Sequence, residues 1–262
     1  MASLEPDETV GAPVLRMGWS RQAFVHWPFD PAAVQRLLPS GLVAEEYQGR
    51  AWVSLTPFVM ADVRPAVLPA LQMTNRLSTF PETNLRTYVR GPGGRDGLWF
   101  LSVEAASAAM SLITRAATGA PYHLGDLSVT EHGGVLAYAG CRRGGEPAYR
   151  LRIRPGTPLV PSALEVCLTS HWRVYTRQWG MLLETPVWHE PWPLHTAAIE
   201  ELGQTLTPAA GLADPRAEPI AHYSPGVHQV RVGIPRPAIC RRPTGSLVAG
   251  EGQRSARQRF DA

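Results

Sequence analysis

Phe80-Pro81-Glu82-Thr83-Asn84-Leu85-Arg86-Thr87-Tyr88-Val89 is the stretch on which the reading of this chain turns. On an extended segment alternate residues share a face, so Glu82, Asn84 and Arg86 point the same way. Three polar side chains on one strand face do not suit a sheet packed on an apolar core. They suit the wall of a polar cavity. Gly91-Pro92-Gly93-Gly94 comes next, and Leu98 to Val103 is a second apolar run, so Leu85–Arg90 and Leu98–Val103 read as a hairpin.

Outward from this hairpin the chain is mostly short strands. Arg21 to Trp27 and Ala51 to Met60 read as β-segments, the second followed by a Pro-rich loop from Arg64 to Ala70. Asp30-Pro31 opens a short helix to Leu38, because Asp30 can accept from the first free N–H groups and Pro31 fits the first helical position. Ser107 to Thr118, Ala-rich and free of Gly and Pro, is the clearest helix. Leu127–His132, Val135–Arg142 and Ala148–Ile153 alternate with turn residues and predict an antiparallel meander. Leu164 to Thr176 is strand or helix by period. Thr196 to Leu202 predicts a short helix, and Gly226 to Ile234 a last strand. Many strands and few helices argue for a closed or nearly closed antiparallel sheet. Residues 1–13 read as a disordered lead-in, 14–237 as one domain, and 238–262 as a disordered Arg-, Gly- and Ser-rich tail.

The 262 residues include 25 basic side chains, and all of them are arginine. A lysine amine can attack a carbonyl to form a Schiff base; a guanidinium stays protonated and cannot. The net charge of +3 and the lack of a dense basic run exclude a nucleic-acid partner as the first reading. No apolar run reaches the roughly 18 residues that cross a bilayer, so no membrane partner is expected. The acidic opening residues do not read as a signal peptide. Cys141, Cys167 and Cys240 are far apart and make no CxxC, which suits reduced thiols in a cytoplasmic protein. His189 and His195, like His222 and His228, are six apart, outside the usual zinc spacings, so no metal and no other cofactor is expected.

Several motifs occur in order: Gly18-Trp19, Phe24-Val25-His26-Trp27-Pro28, Leu38-Pro39-Ser40-Gly41-Leu42, Gly49-Arg50-Ala51-Trp52-Val53, Thr56-Pro57-Phe58, the stretch 80–89, Ala120-Pro121-Tyr122, Pro191-Trp192-Pro193-Leu194 and His222-Tyr223-Ser224-Pro225-Gly226-Val227. Together they resemble the DUF2071 (YqjF-like) family of the acetoacetate decarboxylase-like superfamily. That resemblance implies a β-rich α+β fold, a cone of curved antiparallel sheets with a few short helices around a small-molecule pocket. Acetoacetate decarboxylases carry Arg, five residues, then Pro-Lys-Lys, the first lysine forming the imine. The matching stretch here runs from Arg115 to Pro121-Tyr122-His123, so Tyr122 and His123 stand where the lysines would be. Glu82 matches a superfamily glutamate, while a first-strand arginine of the decarboxylases falls near Pro28 and is missing or moved. Family members often carry Thr-Glu-Arg-Tyr in the second half; here Thr169-Ser170-His171-Trp172 replaces it.

These readings nominate Glu82, Tyr122, His123 and His26 as catalytic candidates. A desolvated Glu82 would have a raised pKa and could move a proton near neutrality; the alternative is a structural carboxylate paired with Arg86 or Arg64. Tyr122 could donate to an oxyanion and His123 could shuttle protons, although neighbours on a strand face opposite ways, so one of the two enters the pocket. His26 would be a packed strand histidine if not catalytic. Arg86, Asn84, Arg115, His171 and Trp52 are the substrate-contact candidates, Arg86 through paired hydrogen bonds to a carboxylate. The expected activity is cofactor-free acid–base chemistry on an oxygenated or oxo-acid small molecule: dehydration, aldol-type cleavage, isomerisation or cyclisation. The alternative is a non-catalytic ligand-binding or accessory protein. A homo-oligomer is compatible with the sequence.

Overall fold

The computed structural model describes residues 3–66 and 78–239. In chain order the elements are β1 (Leu15–Phe29), α1 (Pro31–Gln35), β2 (Val43–Ala44), β3 (Glu46–Tyr47), β4 (Arg50–Pro65), β5 (Phe80–Arg90), a 3-10 turn at Pro92–Gly94, β6 (Asp96–Ala105), α2 (Ala108–Thr118), β7 (Tyr122–His132), β8 (Val135–Arg142), β9 (Ala148–Pro158), α3 (Ala163–Thr169), β10 (Arg173–Gln178), β11 (Met181–Trp188), β12 (His195–Gln204), α4 (Leu206–Ala209), β13 (Ile220–Val232) and β14 (Arg236–Pro237). The capping chemistry is as the residues dictate: Asp30 accepts from the amides of Ala32 and Ala33, and Ser107 caps α2 from its side chain. Gly119 ends α2 at φ +72°, where an added Cβ would press on the Arg177 carbonyl, so only glycine fits that stop.

The strands close on themselves twice. One circuit runs β5–β6–β7–β8–β9–β12–β13–β1–β4 and back to β5; the other leaves β6 for β10 and β11 and rejoins at β13. Strands β13, β1, β4, β5 and β6 belong to both. This is a curved, β-rich α+β architecture of the kind the resemblance implies. Two pairings, β6–β7 and β6–β10, are parallel, against the expectation of wholly antiparallel sheets. The first follows from the α2 crossover, since a helical connection returns the chain in the same direction.

Among the shared strands, β5 is buried on both faces along nearly its whole length, whereas β13 is exposed at Pro225, His228 and Gln229. On β5, Leu85 faces the larger circuit and packs with Val25, Val53, Leu55, Leu136, Leu151 and Ile153. Glu82, Asn84 and Arg86 face the smaller one. Cross-strand partners share a face, and β4 places Phe58, Thr56 and Ser54 opposite those three residues. A one-residue bulge in β1 lies between Ser20 and Val25, with Arg21 at φ 51°. It flips the alternation, so odd-numbered Met17 and Trp19 and even-numbered Gln22 face the same interior.

One expectation is corrected and one left open is resolved. Thr196 to Leu202 is strand, not helix: β12 pairs with β9 along its length, Ile199 opposite Ile153, and this pairing overrides the helical propensity of its Ala and Glu residues. The segment Leu164–Thr176 is both, helix to Thr169 and strand from Arg173. In the opening stretch, Ser3, Asp7 and Glu8 contact the domain. Trp172 Nε1 donates to Ser3 O at 2.9 Å, Glu8 pairs with Arg95 and Arg236 at 3.0 and 2.9 Å, and Asp7 pairs with Arg173. The expected tail beyond Ile239, with Cys240, and most of the Pro-rich loop lie outside the described residues. No helix among the described residues is long and apolar enough to cross a membrane.

Leu85 has no exposed surface, and its removal leaves a hole in the larger interior. Leu85→Ala is expected to lower stability by about 2–5 kcal/mol, whereas Leu112→Ala on exposed α2 should change it by less than about 0.5 kcal/mol. Urea denaturation checks both.

Candidate active site

A cavity of about 160 Å³ lies inside the smaller circuit. It is close in size to a cavity of about 150 Å³ that admits benzene, which limits a ligand to roughly ten non-hydrogen atoms. One part of its wall is apolar, with Met17, Phe58, Met60, Phe80, Met110 and Val187; the other carries Asn84, Arg86, His171, Thr176 and Thr185. A larger open groove of about 800 Å³ crosses β7, β8, β9 and β12. It is lined by none of the buried polar atoms that lack a partner among the described residues, so it has less to offer a ligand.

Glu82 is buried in the wall and its pKa is pushed up to about 8 by desolvation, which the hydrogen bond from Tyr122 opposes. Tyr122 Oη donates to Glu82 Oε2 at 3.3 Å. Burial, reinforced by the Glu82 carboxyl, moves the phenol well above its usual value. Among the described residues Glu82 has no ion pair; Arg64 pairs instead with Asp62 at 3.9 Å. Four residues join neighbours on a helix but carry Arg86 about 13 Å along a strand, so the sequence spacing does not produce a Glu82–Arg86 pair.

Arg86 is a buried cation without a carboxylate partner among the described residues. Its Nη2 donates to Leu168 O at 3.3 Å, its Cζ lies 5.6 Å from the Phe24 ring centroid and 5.8 Å from that of Tyr88, and its Nε has no protein partner. A buried charge left unpaired is costly, and here it borders the cavity. Buried polar atoms are nearly always bonded. Yet Trp19 Nε1, Asn84 Oδ1, His171 Nδ1, Thr176 Oγ1 and Thr185 Oγ1 also lack a partner among the described residues, and all belong to cavity-lining residues. The cavity wall is therefore built of hydrogen-bonding groups with unused capacity.

Of the candidates, Glu82, Tyr122, Asn84, Arg86 and His171 meet in this wall. Tyr122, not His123, enters: His123 sits in register with Glu104 on the far side of β6, next to the Arg142–Glu104 pair. Its pKa is lowered by burial and then by the Arg142 charge. His26 lies beneath the cavity, not in its lining. Its Nδ1 is 2.6 Å from Ser54 Oγ, its Nε2 is buried without a partner among the described residues, and burial, then His222 and Arg86, hold its pKa well below the usual value. Arg115 is exposed on the last turn of α2, because the residues between it and Pro121 are helix and not strand. Trp52 packs with Tyr88, Leu98 and Leu168 outside the lining. Trp192 does line the cavity, while Trp179 is exposed at a turn. Trp19, Gln22, Thr176, Thr185 and His189 are lining residues that the sequence reading did not nominate. Burial lowers the His189 pKa to about 4, and its ring lies between Trp19, Trp172 and Trp192.

Residues 16–228 match the model of DUF2071, described as an uncharacterized conserved protein. The chain belongs to the DUF2071 family. It is 32% identical over 215 residues to the uncharacterized protein YqjF of Bacillus subtilis, covering 80% of this chain and 87% of that protein. In fold, this DUF2071 chain is similar to the enzyme MppR of enduracididine biosynthesis (TM-score 0.64, 13% identity, 88% of this chain and 90% of that one). It is also similar to acetoacetate decarboxylase from Legionella pneumophila (TM-score 0.62, 16% identity, 88% and 89%). An acetoacetate decarboxylase-like enzyme from Sphingomonas wittichii RW1 aligns with TM-score 0.59 and 17% identity over 88% and 95%.

The raised pKa of Glu82 has a consequence for stability. The folded state holds this proton more tightly than the unfolded chain, so the contribution is complete below about pH 4.5 and is lost as pH rises towards 8. In that window Glu82 alone gives a falling slope of about 1.4 kcal/mol per pH unit. Glu82→Gln should flatten the slope, making the variant gain on the wild type between pH 5 and pH 8. Urea unfolding at several pH values measures this, and an unchanged slope would mean that Glu82 is not desolvated.

Proposed function

We propose that the cavity is an active site for cofactor-free acid–base chemistry on a small oxygenated carboxylic acid. The observation that carries this reading is the pairing, in one wall, of an unpaired buried guanidinium with a desolvated carboxyl. The first calls for an anion; the second holds a proton at neutral pH that it can give up. The acetoacetate decarboxylase-like neighbours support a small-molecule enzyme, and one structure of MppR holds pyruvate, an acid of the size this cavity admits.

In this scheme Arg86 holds the substrate carboxylate through charge-assisted hydrogen bonds. Glu82, protonated at neutral pH, delivers its proton to an oxygen of the substrate that leaves or gains electrons. The Tyr122 hydroxyl, hydrogen-bonded to Glu82, then supports the carboxylate that remains. The chain has no lysine, so no side-chain imine takes up the electron pair. Hydrogen-bond donors in the wall have to stabilise the developing negative charge instead. This chemistry covers dehydration, aldol-type cleavage, isomerisation and cyclisation of an oxo- or hydroxy-acid, in a soluble protein acting without a nucleic-acid partner.

The test is a screen of short oxo- and hydroxy-acids by NMR for binding and turnover. Arg86→Gln should weaken carboxylate binding about ten- to a hundredfold, as loss of a charged hydrogen bond does. Glu82→Gln should reduce turnover at least a hundredfold and leave affinity within about threefold. Binding that depends on Arg86, with no turnover in any variant, would favour a ligand-binding protein over an enzyme. Binding indifferent to Arg86 would remove the proposal.

A further inference from the structure

His171 stands in the loop between α3 and β10, and its surroundings fix which way its ring can act. Nε2 lies 3.2 Å from Glu45 Oε2, and Glu45 is in turn bound by Arg90 at 2.5 Å. Glu45 is itself held in place, since its amide donates to Tyr88 O at 2.9 Å. Burial acts to raise the Glu45 pKa, but His171 and Arg90 outweigh it and keep the carboxyl below its usual value. An ionised carboxylate accepts only, so in the neutral imidazole the proton sits on Nε2 and the lone pair on Nδ1. Nδ1 is buried with no partner among the described residues, and His171 lines the cavity.

Arg86 and His171 lie against the same ring: the Arg86 Cζ is 5.8 Å from the Tyr88 centroid, and the His171 ring is 4.9 Å from it. Asn84, two residues before Arg86 on the same face, presents Oδ1, which also lacks a partner. The carboxylate end of the cavity therefore brings a guanidinium together with the Asn84 amide and the His171 ring, and with that ring neutral Nδ1 and Oδ1 are two acceptors. A keto oxygen beside the carboxylate would face those acceptors lone pair to lone pair. A hydroxyl would donate to them, and Thr176 and Thr185 can bond either group.

We infer that His171, positioned by Glu45, is a specificity-determining acceptor that selects a hydroxylated carboxylic acid, with its hydroxyl on carbon 2 or 3, over the corresponding oxo acid. This rests on the reading that Arg86 binds a carboxylate. Glu45 is a positioning residue: it touches no substrate and acts through the tautomer of His171.

The experiment uses butanoate, 2-hydroxybutanoate, 3-hydroxybutanoate and 2-oxobutanoate as probes on the full chain, with dissociation constants from NMR titration. In the wild type at least one hydroxy acid should bind about tenfold more tightly than butanoate and 2-oxobutanoate. His171→Phe should bring that preference within about twofold. His171→Asn, whose amide oxygen can stand near the Nδ1 position, should restore most of it. Glu45→Leu, which offers no acceptor to Nε2–H, should remove the Nε2–H tautomer signature from the 15N spectrum and reduce the preference without unfolding the chain. Equal binding of hydroxy acid and butanoate, or a preference unchanged in His171→Phe, overturns the inference while Arg86-dependent binding keeps the carboxylate reading. Failure of all four probes to bind, or binding indifferent to Arg86→Gln, overturns both.

Discussion

The fold depends on a wall shared by two interiors. Strands β13, β1, β4, β5 and β6 lie between them, and β5 is buried on both faces along nearly its whole length, so its backbone groups must be satisfied along the ladder. A strand so placed cannot slide by one residue, because that would send Leu85 into the polar cavity and Glu82 into the apolar interior. The register that protects the core is the register that aims the site. Glu82, Asn84 and Arg86 are therefore set on a rigid element and not on a loop, which is the condition for holding polar groups in fixed geometry without bound ligand.

The same wall explains the electrostatics. Burial raises the Glu82 pKa, since among the described residues no cation pairs with it to offset the loss of water, and extended geometry carries Arg86 away along the strand. Two groups that would neutralise each other on a helix are here left separately unsatisfied on a strand. Each then borders the same cavity, the carboxyl as a held proton and the guanidinium as a held charge. Beneath the cavity, His26 meets Ser54 and Tyr88 at its Nδ1, while its Nε2 is without a partner among the described residues.

Much of this was legible in residues 80–89, where alternation alone gave the cavity-facing trio, and in the Gly91–Gly94 turn that pairs β5 with β6. The order of motifs carried the family and the fold. Other features were hidden for identifiable reasons. The bulge at Arg21 breaks the two-residue period, so Trp19 could not be placed on the cavity face by counting. Thr176 and Thr185 come together only through the β10–β11 pairing, a contact that no local pattern reports. Arg115 and His123 were nominated by alignment to a lysine-bearing stretch, but α2 turns the first to solvent and strand alternation turns the second away. Ala- and Glu-rich β12 looked helical because its strand character comes from β9 alongside it.

Two interiors divided by one sheet also separate two kinds of selective pressure. The larger one, lined by Leu, Val, Ile and Tyr, answers only to packing, and any side chain that fills it will serve. The smaller one answers to whatever molecule enters it. Since alternate residues of the same strands serve the two sides, the pocket vocabulary can be rewritten one strand position at a time without disturbing the apolar half that keeps the chain folded. A scaffold of this kind can pass through many chemistries while its backbone stays in place. That accounts for how proteins sharing as little as 13% of their residues with this chain overlay on it along most of their length.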